Sequence, residues 1–429
     1  MPGRGPDCAR TPRTAAPTES GLSGHADDRS RTDTSSRTVD FESTASTSFA
    51  TSARENTGKR IQIFPSPVNR AFFLKEPPGI GYGQLCDRTE RFQGRSGRAA
   101  GPRTSDMNEK KSSPYSLCSL CGRSCGIDRS GGERGFCGMG PELRIAWAGI
   151  HRGEEPVICG AGGSGAVFFS GCTLQCFFCQ NRQISRDGMG REVSIPDFAD
   201  ICLSLRDRGA ENINLVTGGH FLPSIARGIA LARRRGLGLP VVWNSSGYDG
   251  PGAVEALADF VDVFVPDLKT LDGALASALF GAPDYPGTVR NALTRMAAAR
   301  PLSFSGDSLR SGLIVRHLVL PGLMDNTREV LAWFSENLKD RALISVMFQY
   351  TPMEGIENAA AGLPGSWSRR VSRAEYHETL RLLDLFHIQE GFIQEPPGPE
   401  SLTPDFSRAA SFPGNLAEPV WFHRGTAAS

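Results

Sequence analysis

Residues 166–217 read AVFFSGCTLQCFFCQNRQISRDGMGREVSIPDFADICLSLRDRGAENINLVT. The stretch opens on a short continuous apolar run, 166–170, as expected of a strand buried on both faces. Phe198, Ile201, Cys202 and Leu205 then recur at helix spacing, and Gly209 ends that helix. A second apolar run, 212–217, follows. Strand, helix and strand in succession make a crossover unit with parallel strands and right-handed connection.

The same alternation continues downstream. Ile225, Ile229 and Ala232 mark a helix closed by the basic run 233–235 and Gly236, and residues 240–245 form a third strand. Val254 and Leu257 lie on a helix before a fourth strand, 261–267. Residues 284–299 are helical, with Tyr285, Val289 and Met296 on one face, and lead to a fifth strand, 313–320. A helix through Val330, Phe334 and Leu338 precedes the sixth, 344–350. The last helix starts at the capping box Ser372-x-x-Glu375 and carries Tyr376, Leu380, Leu383 and Ile388. Six such units predict an α/β fold with a parallel sheet, either a closed or partial barrel or an open doubly wound sheet. In either form the functional loops follow the C-terminal strand ends.

The first strand runs directly into Gly171-Cys172-x3-Cys176-x2-Cys179, with Phe178 before the third cysteine. A short loop with these gaps points three thiolates at one site. A 4Fe–4S cluster has four irons and usually four cysteines, so three leave one iron open. That iron can chelate adjacent amine and carboxylate groups, which S-adenosylmethionine possesses. One electron then cleaves a C–S bond, and the 5′-deoxyadenosyl radical so released takes hydrogen from a substrate. Zinc, by contrast, prefers four tetrahedral ligands.

Upstream, Cys118-x2-Cys121-x3-Cys125-x11-Cys137 places four more thiolates among glycines, a ligand set for zinc or for a second iron–sulfur cluster. So little apolar sequence orders itself only around a metal. Eight of the 11 cysteines fall between Cys118 and Cys179. Cys8, Cys86, Cys159 and Cys202 fit no ligand pattern, and Cys202 lies on an apolar helix face. Clustered cysteines in a chain of 429 residues without an apolar leader segment point to a reduced, cytoplasmic, metal-binding protein.

Lysine plus arginine (47) balances aspartate plus glutamate (46), so no nucleic-acid or anionic-membrane partner is expected. No apolar stretch approaches the ~18 residues of a membrane span. Residues 1–106 are Ser-, Thr- and Arg-rich and are expected to be a disordered extension. Asp27, Asp28, Asp33 and Asp40 argue against a transit peptide, and Met107 is a candidate initiator. The expected organisation is a 107–160 cysteine-rich metal-binding segment, a 161–395 barrel and an irregular 396–429 tail.

The segment GSGAVFFSGCTLQCFFCQNRQIS, the upstream cysteine block, NLVTGGHF, NSSGYD and RHLVLPG resemble the radical S-adenosylmethionine superfamily, in particular homologues of the pyruvate formate-lyase activating enzyme. The resemblance extends from about residue 118 to 406. It implies a partial (β/α)6 TIM-like barrel, a 4Fe–4S cluster on Cys172, Cys176 and Cys179, and S-adenosylmethionine at the other strand ends. It further implies a reductant such as flavodoxin or ferredoxin, and a glycyl-radical enzyme as substrate. Two alternatives stand beside this activase reading: radical modification of a peptide or small molecule, and a non-catalytic metal-binding or electron-transfer protein.

Gly218 and Gly219 end the second strand, where the superfamily carries a Gly-Gly-Glu motif for the cofactor amine. Here His220 replaces the glutamate, as a candidate substrate contact or proton carrier, or as a loop histidine with a structural hydrogen bond. Asn244 and Ser246 end the third strand and suit ribose hydroxyls, or ordinary turn chemistry. Asp267 and Lys269 share one face of the fourth strand end, for cofactor contact or a salt bridge. Arg316 sits in an apolar run and needs an anionic partner, either the cofactor carboxylate or Asp267. His317 faces the opposite way.

Overall fold

In a computed structural model of the chain, the six expected runs are parallel neighbours in one sheet. Residues 70–72, 113–250, 252–396 and 403–424 are described. All belong to one compact unit, Lys59–Ser429; the other, Met1–Gly58, lies outside them. The strands are β1 Arg70–Phe72, β2 Leu143–His151, β3 Ser164–Phe169, β4 Arg191–Val193, β5 Ile213–Val216 and β6 Val241–Ser245, then β7 Val263–Pro266, β8 Ser303–Ser305, β9 Ser308–Leu318, β10 Leu343–Met347, β11 Gly391–Ile393 and β12 Ala417–Phe422. Across the sheet they run β1-β11-β10-β9-β7-β6-β5-β3-β2-β12, with β4 on β2 and β8 on β9. β3, β5, β6, β7, β9, β10 and β11 are parallel. β1, β2 and β12 pair antiparallel at the two margins. The two ends of this path do not pair with each other, so the sheet is a partial barrel.

The helices are α1 Pro156–Cys159, α2 Arg182–Ser185, α3 Ile195–Asp207, α4 Leu222–Arg234, α5 Ala253–Ala258, α6 Gly273–Phe280, α7 Tyr285–Ala299, α8 Met324–Asn337, α9 Ile356–Ala359 and α10 Arg373–Leu385. α3 starts at a capping box, with Ser194 and Asp197 satisfying each other's backbone N–H groups, and α10 starts at the expected Ser372/Glu375 box. Gly228 in α4 lets that helix close on α3, because a Cβ there would stand 2.2 Å from the Phe198 ring.

Alternate strand residues face opposite sides. Ile213, Leu215, Trp243, Phe264 and Val315 pack outward against the helices. Val242, Val263, Val265, Ile314 and Leu343 form a separate inner cluster with Val157 and Ile158. The short α1 therefore plugs the inside of the barrel from one end, and the loop before it is threaded beneath the strands.

Several strands depart from the expected organisation. β2 lies within the 107–160 segment, yet it is a nine-residue strand of the barrel sheet. β11 is an additional strand at the end of the expected barrel, and β12 falls within the expected irregular 396–429 tail; β12 pairs with β2, residue Ala417 opposite His151. Both are short and depend on a distant partner for their hydrogen bonds. β1 lies inside the expected disordered extension and pairs with β11; the rest of residues 1–106 and of Met107's surroundings lies outside the described residues.

Candidate active site

The loop after β3 carries the three spaced cysteines. Gly171 turns it with a left-handed φ of 81°, and Gln175 takes the same region at 51°. A Cβ on Gly171 would stand 2.5 Å from Met139 Cγ and 2.9 Å from the Cys137 carbonyl oxygen. Phe177 and Phe178 fix the loop's outer side by packing on Trp367, with ring centroids 4.7 and 5.4 Å away. Cys176 is buried, and Cys172 and Cys179 are half-buried. Burial pushes the Cys176 and Cys179 thiols up, while the Lys269 ammonium pulls both down. The Ser185 hydroxyl donates to Cys179 Sγ at 3.4 Å and the Leu174 N–H to Cys172 Sγ at 3.4 Å.

All three cysteines line a cavity of about 290 Å³ at the C-terminal ends of β5, β6, β7, β9 and β10. Asn244, Ser246, Asp267, Lys269 and Arg316 line it as well, so five of the seven proposed cofactor contacts share one space with the thiols. The Ser246 and Thr173 hydroxyls stand 3.5 Å apart, which links the β6 end to the cysteine loop. Lys269 Nζ bonds Asp267 Oδ2 at 2.6 Å. Burial opposes the lysine's charge, but Asp267 and Cys176 outweigh it, so its pKa rises. Tyr285 was visible only as a helix-face residue. Its hydroxyl lies 3.0 Å from the Ser246 carbonyl and 2.8 Å from that of Asp267, and accepts the Lys269 N–H at 3.1 Å. It thereby fixes the ends of β6 and β7.

Gly218, Gly219 and His220 are not among the cavity-lining residues. A Cβ on Gly218 would meet Ile225 Cδ1 at 2.6 Å, so its close approach serves helix packing rather than a ligand. The backbone at the cavity is instead Thr217, a β-branched residue at φ 61°. His220 is fully buried and its Nε2–H donates to the Ser170 carbonyl at 2.8 Å. Burial depresses its pKa to about 4, so the ring is neutral. It supports the cysteine loop from behind and lies outside the cavity lining.

Arg316 pairs with two glutamates from a distant loop rather than with Asp267. Its Nε donates to Glu155 Oε1 at 2.8 Å, its Nη2 to Glu155 Oε2 at 2.5 Å, and Nη2 also to Glu154. Both glutamates come from the loop between β2 and α1, more than 160 residues away, and the pairs cross the barrel interior. Burial alone would push the Glu155 carboxyl up; the Arg316 charge and hydrogen bonds more than reverse this. His151 stands 3.4 Å from Glu154 and burial holds its pKa down. Asp267, the alternative partner for Arg316, is taken by Lys269. His317 points away as expected: Nδ1–H donates to the Leu268 carbonyl and Nε2 accepts from the Thr327 hydroxyl.

The four upstream cysteines also meet. Cys121 feels the charges of Cys137, Cys125 and Cys118, although burial is the larger reason that its thiol is pushed up to about 12. Cys118, Cys121 and Cys137 are buried and Cys125 is half-buried. Among the described residues, no three histidine, cysteine, aspartate or glutamate side chains close on one point as the shell of a single ion would. Cluster thiolates each bind a different iron and stand further apart than ligands about 2.3 Å from one zinc. Three thiols on one loop, one buried and two half-buried, facing one cavity, fit a cluster's donor set.

Residues 166–334 match the family model described as the Radical SAM superfamily. Over 282 residues the chain is 29% identical to the uncharacterized protein MJ0674 of Methanocaldococcus jannaschii, covering 64% of this chain and 76% of that one. SuiB of Streptococcus suis, in a crystal structure bound to S-adenosylmethionine, is similar at 15% identity and TM-score 0.34 over 50% of this chain and 44% of SuiB. The chain thus matches less than half of SuiB's length. A domain of the pyruvate-formate lyase-activating enzyme from Bacteroides vulgatus is similar at 14% identity and TM-score 0.30, covering 43% of this chain and 99% of that domain.

Proposed function

Since the chain carries a radical SAM domain over residues 166–334, whose family implies a 4Fe–4S cluster and S-adenosylmethionine, we propose that Cys172, Cys176 and Cys179 hold the cluster and that the cavity they line binds the cofactor. The observation that carries this reading is the shared cavity: three thiols and the side chains of Asn244, Ser246, Asp267 and Lys269 open on one space at the strand ends. A cluster held by three thiolates leaves one iron for the amine and carboxylate of S-adenosylmethionine and supplies the electron that cleaves it. The chain's own residues do the rest. Lys269, beside Cys176, places a positive charge near the cluster ligands. Asn244 and Ser246 offer amide and hydroxyl groups to the ribose. The aromatic wall of Phe177, Phe178 and Trp367 keeps water from the loop.

The radical's target in this reading is a glycyl residue of a partner enzyme, which makes the protein an activase working with a flavodoxin- or ferredoxin-type reductant in the cytoplasm. The FFSGC-x3-C-x2-CQN core and the NSSGYD and RHLVLPG segments support it by their resemblance to activase homologues. Among the described residues, no helix is long and apolar enough to cross a membrane. Anaerobic reconstitution with iron and sulfide tests the site. The expected result is a reduced-state EPR signal that changes when S-adenosylmethionine is added and disappears in Cys176→Ala. A signal indifferent to the cofactor overturns the assignment. Co-purification of a glycyl-radical enzyme supports the activase reading; turnover of a peptide or small molecule without one replaces it.

A further inference from the structure

The segment bearing the four upstream cysteines is folded against the cysteine loop of the barrel almost residue by residue. Arg123, between Cys121 and Cys125, donates from Nε to the Thr173 carbonyl at 2.9 Å, from Nη2 to the Phe280 carbonyl at 2.6 Å and from Nη1 to the Gly281 carbonyl at 2.5 Å. Its guanidinium lies over the Phe136 ring, 3.6 Å from the centroid. The Phe136 carbonyl accepts the Gln175 side-chain amide at 2.8 Å and so holds a residue with a left-handed backbone. Gly171 rests on the Cys137 carbonyl and Met139. Arg129, fully buried, donates to the His220 carbonyl at 2.6 Å, and the His220 ring in turn donates to Ser170. Ser170, Gly171, Thr173 and Gln175 are thus each supported by residues 121–139.

The supporting segment has little to order it alone. Apart from a single bridge from Cys121 to Asp249, residues 118–139 form no helix or strand, and their buried apolar side chains are chiefly the thiols themselves. Such a segment takes its shape from what the thiols bind.

We infer that residues 118–139 are a metal-dependent clamp on the cluster loop, with Arg123 as its positioning residue. An iron–sulfur centre on Cys118, Cys121, Cys125 and Cys137, whose thiols do not close on one point as the shell of a single zinc would, sets the position of Arg123. Arg123 then sets the geometry of the loop that carries Cys172, Cys176 and Cys179. The inference rests on those three cysteines being the cluster site.

Three variants of the full chain, Arg123→Gln, Arg123→Lys and Cys125→Ser, test it after anaerobic reconstitution. Zinc and iron per chain, the reduced-state EPR spectrum and the rate of iron release to a chelator are measured, with circular dichroism verifying the fold. Arg123→Gln is expected to keep the upstream metal, broaden the EPR signal and release cluster iron on the order of tenfold faster, because the hydrogen bond to the Thr173 carbonyl in the loop is lost together with the two that anchor Arg123 on the Phe280 and Gly281 carbonyls. Arg123→Lys, which retains charge and donors, is expected to fall between Arg123→Gln and the wild type. Cys125→Ser is expected to lose the upstream metal and reproduce the Arg123→Gln spectrum. A wild-type spectrum and release rate in Arg123→Gln, or in a Cys125→Ser protein shown to lack the upstream metal, overturns the clamp. A wild-type chain that assembles no cluster at all refutes the cluster site itself, a different result from variants that behave like a loaded wild type.

Discussion

Replacing Arg316 with methionine isolates the ion network that spans the barrel. The three side chains are nearly closed to water: Arg316 is 11% exposed, Glu154 7% and Glu155 2%. Arg316→Met takes away the guanidinium that both buried carboxylates share, and breaking a buried pair this way costs about 3–5 kcal/mol. Glu155→Gln leaves one arginine facing one carboxylate. The two Glu155 oxygens each accept from Arg316 and a glutamine amide can accept only one of those bonds, so the variant loses one hydrogen bond and the charge assistance on the other, about 1–3 kcal/mol. The two variants therefore differ by about 2 kcal/mol, more than tenfold in the folded-to-unfolded ratio. Urea unfolding followed by circular dichroism under anaerobic conditions measures both. The pH dependence carries a second sign. In the wild type the Glu155 pKa is lowered on folding, so its contribution is present above the unfolded carboxyl pKa and lost as pH falls through the folded value. In Arg316→Met burial, the largest influence on Glu155, is opposed only by hydrogen bonds from Ser345 and the Glu155 backbone, so the folded pKa rises above the unfolded one and the variant recovers stability as pH falls. The gap to wild type should be smaller at pH 5 than at pH 8. A Glu155→Gln variant as unstable as Arg316→Met, or a gap that widens on acidification, refutes the assignment of these charges.

Gly171→Ala places a methyl group against Met139 and the Cys137 carbonyl and should at least halve cluster iron per chain; wild-type iron content contradicts the loop geometry. Gly228→Ala should lower stability by about 1–3 kcal/mol through overpacking on Phe198, with an unchanged EPR spectrum, because α4 supports the barrel away from the thiols. Burial pushes His317 down to about 4, below its unfolded value, so wild-type stability should fall as pH drops from 6.5 towards 4, by about 1.4 kcal/mol per pH unit from this ring. His317→Gln should flatten that slope, and an unaltered slope in chemical denaturation argues against a neutral buried ring.

The parallel strands were legible because both faces of each are buried, which leaves unbroken apolar runs such as AVFF and VFV. The capping boxes at Ser194 and Ser372 depend on four residues each, of which the second was read directly. What depends on distant residues was not legible. Glu154 and Glu155 sit in an ordinary Gly-Glu-Glu-Pro loop, and only the curvature of the sheet brings them to Arg316. β12 contains Pro419 and Glu418 and has no apolar alternation of its own; it is a strand because β2 offers an open edge. Gly218 did mark a close approach, but the neighbour is the Ile225 side chain of a helix rather than a ligand, and a Cβ on Gly219 would meet nothing closer than Asp249 Oδ1 at 3.7 Å. Arg123 resembled any exposed basic residue until Thr173, Phe280 and Gly281 converged on it.

The most direct measurement is 5′-deoxyadenosine formation by the anaerobically reconstituted chain with dithionite and S-adenosylmethionine, quantified beside Cys172→Ala, Cys176→Ala and Cys179→Ala. Reductive cleavage by the wild type and its loss in all three variants is the predicted result. A wild type that carries its full cluster and yields no 5′-deoxyadenosine, or a variant that cleaves at the wild-type rate, contradicts the account.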